Sequence, residues 1–359
     1  MFRVFIYILW IFVYINSAHS EDHKKLYIYN WAKYISAKSL GEFKKKTDLT
    51  VIYDVFDNEE MLDAKLVSGN TGYDIVFPSN GQFLLNQINM NLYNPINRNK
   101  LKNYKYLDPK ILELLEKTDP NNKYTVPFMW TTTSIGYNAN KIKEIDPEAP
   151  IDSLELIFNP KYAEKFSKCG IAWFNSPSEM IGLAILYNGN DPDNLNDDTL
   201  KAAKDTLQKA RKYIRYISSD NYPDDLVNGS ICIALGWTGD MVQRSDNSGS
   251  NIKYILPREG FFLSIDAMAI PTTSSNVENS YKFIDFLLNP KIAAENSDYS
   301  KHIPSNVEAK KFMDKSLLEN SVLKPSKKTL SRAYINKMQP IDILKKRNRI
   351  WNNVLIGVE

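Results

Sequence analysis

Three short apolar runs open the folded part of the chain, at residues 26–30, 49–56 and 73–78, and stretches with helical periodicity separate them. Strand–helix–strand alternation of this kind predicts parallel pairing through right-handed crossovers, hence an α/β, doubly wound sheet with helices on its faces. The first helix is expected over 36–47, where Leu40 and Phe43 share a face. The second is expected to open at Asp57 or Asn58, with Glu59 and Glu60 in a first turn that suits acidic side chains. Asn30 reads as the break after the first strand, which places Trp31 and Tyr34 at that strand's carboxyl end. Ligands of open α/β sheets sit there. Taken alone, an aromatic pair in that place reads as packing, so other residues must decide.

Further along, Asp108-Pro109 opens a helix over 107–118, and the β-rich run 124–137 is long enough to cross from one lobe to another. A strand at 169–174, a helix at 179–187, an amphipathic helix from Leu200 to Ile214 and a strand at 231–237 follow. A return strand at 252–257, a strand at 262–271 and a helical stripe through Tyr281, Ile284, Leu287 and Leu288 precede a lysine-rich tail with helical pieces. A chain of 359 residues is too long for one ordinary core and suits two lobes. No low-complexity linker divides it, which fits a body whose connections pass between lobes more than once.

Residues 1–20 combine one positive charge, an apolar run of about a dozen residues and a small-residue end at Ala18-x-Ser20, the pattern of a secretory signal peptide cleaved before Glu21. An uncleaved anchor is the alternative. The formal charge of +3 is spread without an arginine-rich block, so no nucleic-acid role is expected. In an exported chain, two cysteines, Cys169 and Cys232, favour a single disulfide over metal binding. Three histidines, His19, His23 and His302, carry no metal signature.

Ser79, Glu179, Asp240 and Asp266 stand at or near strand ends beside aromatic residues. Read singly, each is a helix cap or a surface group. Asp266 resists that reading, because Leu263, Ile265, Ala267, Ala269 and Ile270 surround it, and a carboxylate among apolar residues is costly without a charged or hydrogen-bonding partner. Catalysis finds little support: there is no Gly-x-Ser-x-Gly elbow, no Gly-rich phosphate loop and no His-Glu-x-x-His helix. A cysteine nucleophile would have only His302 as a plausible base. No enzyme activity and no cofactor are expected. Acids interleaved with Trp and Tyr suit an organic ammonium, held by charge-assisted hydrogen bonds and ring faces.

The segments LYIYNWAKY (26–34), VIYDVFD (51–57), GYDIVFPS (72–79), DPNNKY (119–124), PFMWTTTSIGYN (127–138) and ICIALGWTGD (231–240) together resemble the periplasmic polyamine-binding proteins of ABC transporters, most closely the putrescine-binding type. The resemblance covers nearly the whole exported chain and weakens after about Asn306. It implies a two-lobe, clamshell solute-binding fold, each lobe a mainly parallel sheet flanked by helices, with the ligand in the cleft. The first lobe is expected over 21–131, the second over 132–257, the first again over 258–305, and a helical tail over 306–359 mostly in the second. Trp31, Tyr34, Ser79 and Asp266 would line one side, and Glu179, Trp237 and Asp240 the other. Both cysteines fall where the putrescine-type proteins carry a disulfide. The implied role is a monomeric periplasmic carrier of putrescine or a similar diamine that delivers it to an inner-membrane permease. A spermidine-preferring carrier and a polyamine sensor stay open. Four positions depart from the family pattern: Ala32 replaces a small hydroxyl residue, Lys33 an acid, Ser264 an aromatic and His302 a tyrosine. Lys33 at the cleft mouth would repel a third ammonium on a longer ligand.

Overall fold

The computed structural model describes residues 24–357 except 57–58, 70, 246–248, 250 and 338. The leader, His19, His23 and the helix-opening pair Asp57 and Asn58 lie outside the described residues. The strands are β1 (Lys25–Trp31), β2 (Thr50–Phe56), β3 (Ile75–Val76), β4 (Thr125–Asn138), β5 (Ile171–Trp173), β6 (Tyr216–Ile217), β7 (Ile233–Trp237), β8 (Ile252–Ile255), β9 (Phe261–Ala269), β10 (Ile303–Pro304) and β11 (Ala333–Tyr334). Their spatial order is β2-β1-β3-β9-β4-β7-β5-β6, with β8 and β10 against β4 and β11 against β9. β1 pairs in parallel with β2 and β3, and β5 with β6 and β7. The parallel opening expected from the alternation is therefore present, and a second parallel group repeats it across the molecule.

Two antiparallel strands join these groups. Residues Thr125 to Thr132 of β4 pair with β9, and Thr133 to Tyr137 pair with β7, so one strand serves both half-sheets. A register shift falls between Pro127 and Met129, where proline cannot donate to the ladder. The cores divide along the same line. Met129 and Trp130 pack with first-half residues such as Ile28, Phe77 and Ile265, whereas Ile135 and Tyr137 pack with Trp173, Phe158 and Tyr222. β9 changes sides too: Phe262 joins the second core and Leu263 the first. In the tail, Leu317, Val322 and Ile335 pack in the first half, while Trp351 and Val354 pack in the second.

Local chemistry explains the elements that carry the site. Helix α1 (Ala37–Thr47) starts where the Ser36 side chain accepts the Ser39 N–H, and its last turn holds Lys44, Lys45 and Lys46, which suit the helix dipole. Helix α2 (Glu59–Val67) has Glu59 and Glu60 in its first turn. β1 does not stop at Asn30 as expected. It runs on to Trp31 because β2 supplies ladder partners, Asn30 facing Val55, and because the buried Asn30 amide is satisfied internally. Its Oδ1 accepts the Trp31 N–H at 2.7 Å and its Nδ2 donates to the Tyr53 hydroxyl at 2.8 Å. β3 is shorter than the 73–78 run and gives way to an isolated bridge between Ser79 and Asp266.

Cys169 and Cys232 form a disulfide at the starts of β5 and β7, with Cα atoms 5.6 Å apart. Among the described residues no helix is long and apolar enough to cross a membrane, and no group of three or more His, Cys, Asp or Glu could hold a metal ion.

Candidate ligand-binding site

The singled-out residues gather at the carboxyl ends of the parallel strands. Trp31 ends β1, Ser79 follows β3, Glu179 lies in helix α3 (Pro177–Tyr187) after β5, and Trp237 ends β7 just before Asp240 in helix α4 (Thr238–Ser245). Asp266 reaches the same region from the middle of β9, and Ser264, two residues earlier, shares its face of the strand.

Asp266 is 3% exposed and both of its oxygens are engaged. The Ser79 hydroxyl donates to Oδ1 and the Tyr34 hydroxyl to Oδ2. The Ser79 turn is itself clamped, since the Asn80 N–H donates to the Ile265 carbonyl at 2.8 Å and the Ile265 N–H to Asn80 Oδ1 at 2.6 Å. Burial raises the Asp266 carboxyl from its ordinary value, against those two hydrogen bonds. The Tyr34 ring packs on His302 with centroids 4.5 Å apart. The His302 Nδ1 lies 2.9 Å from the Ser300 carbonyl, and burial holds the imidazole below its ordinary value, which favours the neutral ring.

The opposite side is held more lightly. Glu179 is 6% exposed and accepts from the Trp237 indole N–H at 3.1 Å. Burial pushes it up to about 7, against hydrogen bonds from Trp237 and Ser176 and the charge of Arg347. Asp240, half-buried, accepts from the Tyr222 hydroxyl at 3.4 Å, and the same hydroxyl accepts the Trp237 N–H at 3.0 Å. Burial pushes Asp240 up to about 6. Tyr222 approaches this closely because position 236 is glycine: a Cβ there would meet its ring at 2.4 Å. A Cβ at Gly239 would likewise strike the His302 ring at 2.5 Å, so the start of α4 lies directly on the first-half wall.

Asp266 raises the affinity of both Glu179 and Glu59 for protons and is itself raised by Asp240. Carboxyls from the two halves therefore act on one another, and a cation among them would stabilise all of them at once. Trp31 is half-buried and leans on Phe56, centroids 4.5 Å apart. Ala32 and Lys33 are exposed in the turn between the Trp31 and Tyr34 rings, Lys33 in the left-handed region at φ 59°, and the Lys33 charge reaches Asp240. Direct hydrogen bonds thus join Tyr34, Ser79 and Asp266 in one group and Glu179 and Trp237 in another, with Asp240 tied to the second through Tyr222.

Three residues of this region were not singled out from sequence. Glu59 accepts the Ser79 N–H at 2.8 Å. It stands just after a parallel strand, the position that flagged Trp31, so a signal existed. Tyr222 and Arg347 gave none. Arg347, buried on helix α5 (Ile341–Ile356), adds positive charge near Glu179, and only the packing of that tail helix on α3 puts it there.

Two half-sheets with separate cores, joined by shared strands and facing each other across converging acids and rings, define a two-lobed solute-binding protein. Residues 38–320 match the bacterial extracellular solute-binding proteins, and the chain belongs to that family. It is 38% identical over 345 residues to the putrescine-binding periplasmic protein PotF of Escherichia coli (strain K12), covering 94% of this chain and 93% of that one. It is 36% identical over 346 residues to the putrescine-binding periplasmic protein SpuD of Pseudomonas aeruginosa (strain UCBPP-PA14), covering 95% and 94%. Among solved structures, the spermidine/putrescine ABC transporter substrate-binding protein PotD of Streptococcus pneumoniae superposes with a TM-score of 0.81 at 25% identity, covering 93% of this chain and 99% of that one.

Proposed function

We propose that this protein is an exported, periplasmic carrier that captures putrescine or a closely related diamine and hands it to an inner-membrane ABC permease. The observation that carries the reading is the meeting of Asp266 with Glu179 and Asp240 from the other half, beside Trp31, Tyr34 and Trp237. A diamine offers an ammonium at each end and methylenes between, which matches acids at both sides and rings in the middle. The names of the relatives point the same way. The protein acts as a monomer and performs no catalysis, so no cofactor takes part. Residues 21–131 and 258–305 form one lobe and 132–257 the other. The switch of β4 from β9 to β7 after Thr132 supports that division. The 306–359 tail goes mostly with the second lobe, a placement its last helix supports, although Leu317, Val322 and Ile335 pack in the first core. Closure by bending at β4 and β9 removes water from the ammonium groups and strengthens each ion pair.

Thermal shift with putrescine, cadaverine, spermidine, agmatine and lysine tests this. At 100 times its dissociation constant a ligand adds about 2.7 kcal/mol of stability, and the diamines are expected to give the largest shifts. A flat response to every polyamine refutes the carrier reading, and the largest response to spermidine replaces putrescine with the longer ligand.

A further inference from the structure

Glu59 bears on the cation site without facing it alone. Its Oε1 accepts the Ser79 N–H, and the Ser79 hydroxyl donates to Asp266 Oδ1, so one serine bridges two carboxyls. Its Oε2 is buried and has no hydrogen-bond partner among the described residues. An unmet buried acceptor costs about 1–3 kcal/mol, and more when it is charged. The groups that act on it are Asp266 from β9, Ser79 from the turn after β3 and Glu60 beside it; Glu59 in turn acts on the buried Tyr93 phenol, which also feels Asp63. None of these is a cation. Two carboxyls so linked do not both hold a charge cheaply in an enclosed site. A proton on Glu59 removes the charge part of that penalty, and burial does push this carboxyl up to about 8.

We propose that Glu59 is a proton-carrying positioning residue of the cation site: it seats Ser79 against Asp266 and releases its proton to solvent when an ammonium is captured at Asp266. This rests on the cleft being a cation site, as proposed above. No bond to the ligand forms; one proton leaves the Glu59 carboxyl as one positive charge arrives beside it. The sign follows from linkage. The captured cation favours the ionised carboxyl, so the bound state holds fewer protons, and affinity rises with pH up to about 8 and levels off beyond it. Alkylammonium groups titrate near 10.4, as lysine does, so the ligand keeps its charge over this range.

The test is calorimetric titration of the full exported chain with putrescine at pH 7, in two buffers of different ionisation heat, for wild type, Glu59→Gln and Glu59→Ala. Glu179 and Asp240 contribute equally to wild type and Glu59→Gln, so their difference isolates Glu59. Proton release is expected to fall by about one per ligand in Glu59→Gln, which keeps an acceptor for the Ser79 N–H and an affinity within about threefold of wild type at pH 6. Glu59→Ala loses that acceptor, and its affinity is expected to drop about tenfold at every pH. Equal proton release by wild type and Glu59→Gln overturns the proposal, as does unchanged affinity in Glu59→Ala. Absence of putrescine binding by wild type instead overturns the cation-site reading on which it stands.

Discussion

Asp266 and Asp240 come from the two halves of the molecule and feel one another's charge, yet they are held differently. Asp266 has a hydroxyl on each oxygen, and the residues donating them are themselves clamped or buried. Asp240 has one long contact from Tyr222, whereas Glu179 is held by the Trp237 indole and by Ser176. A carboxylate offers about four acceptor positions, so Asp240 keeps more capacity for a ligand than Asp266 does. The first half thus holds Asp266 with a hydroxyl on each oxygen, while Asp240 in the second half is held by one long hydrogen bond. The second side is fixed by the hydrogen bonds that run through Tyr222, Trp237 and Glu179, by its core, and by the disulfide at the root of β7, the strand that delivers Trp237 and leads into Asp240.

That contrast can be broken in order of expected effect. Replacing both Cys169 and Cys232 with serine frees a 63-residue separation and should destabilise the protein by about 4 kcal/mol in denaturant unfolding. Diamine affinity should change little, because the first-lobe network is untouched. A loss under about 1 kcal/mol would show that the second half does not depend on its staple. Asp266→Ala removes a buried anion and leaves two hydroxyls without their acceptor, so affinity should fall about 100-fold by calorimetry. Asp240→Ala should cost less, somewhat more than tenfold, since one long hydrogen bond is lost with the charge. Equal losses would erase the distinction between the two acids. Lys33→Asp is the smallest change. Lys33 is exposed and its field is screened, so spermidine should gain roughly threefold over putrescine in competition binding. An unchanged ratio would make Lys33 an ordinary surface residue.

The difference between the two sides also decides what could be read from sequence. Periodicity is local, so the alternating opening, the helix over 36–47, the Asp108-Pro109 start and the crossing strand 124–137 are legible in the sequence. Asp266 announced itself because a lone acid in an apolar strand is costly wherever the strand packs. Asn30 misled, since its side chain reads as a strand breaker, and only the partners supplied by β2 and Tyr53 keep it inside β1. Tyr222 and Arg347 were hidden for a related reason. Tyr222 meets Trp237 fifteen residues away only because Gly236 leaves room. Arg347 meets Glu179 only because a tail helix folds back across the molecule. Pairings of that kind are written in the packing of the two halves, not in any one segment.

The most direct test of a diamine held between the two halves is the crystal structure of the protein grown with putrescine. The expected result is one ammonium within about 3 Å of Asp266, the other against Glu179 or Asp240, and the carbon chain enclosed by Trp31, Tyr34 and Trp237. Putrescine bound elsewhere, or a closed cleft that contains none of it at saturating concentration, would contradict it.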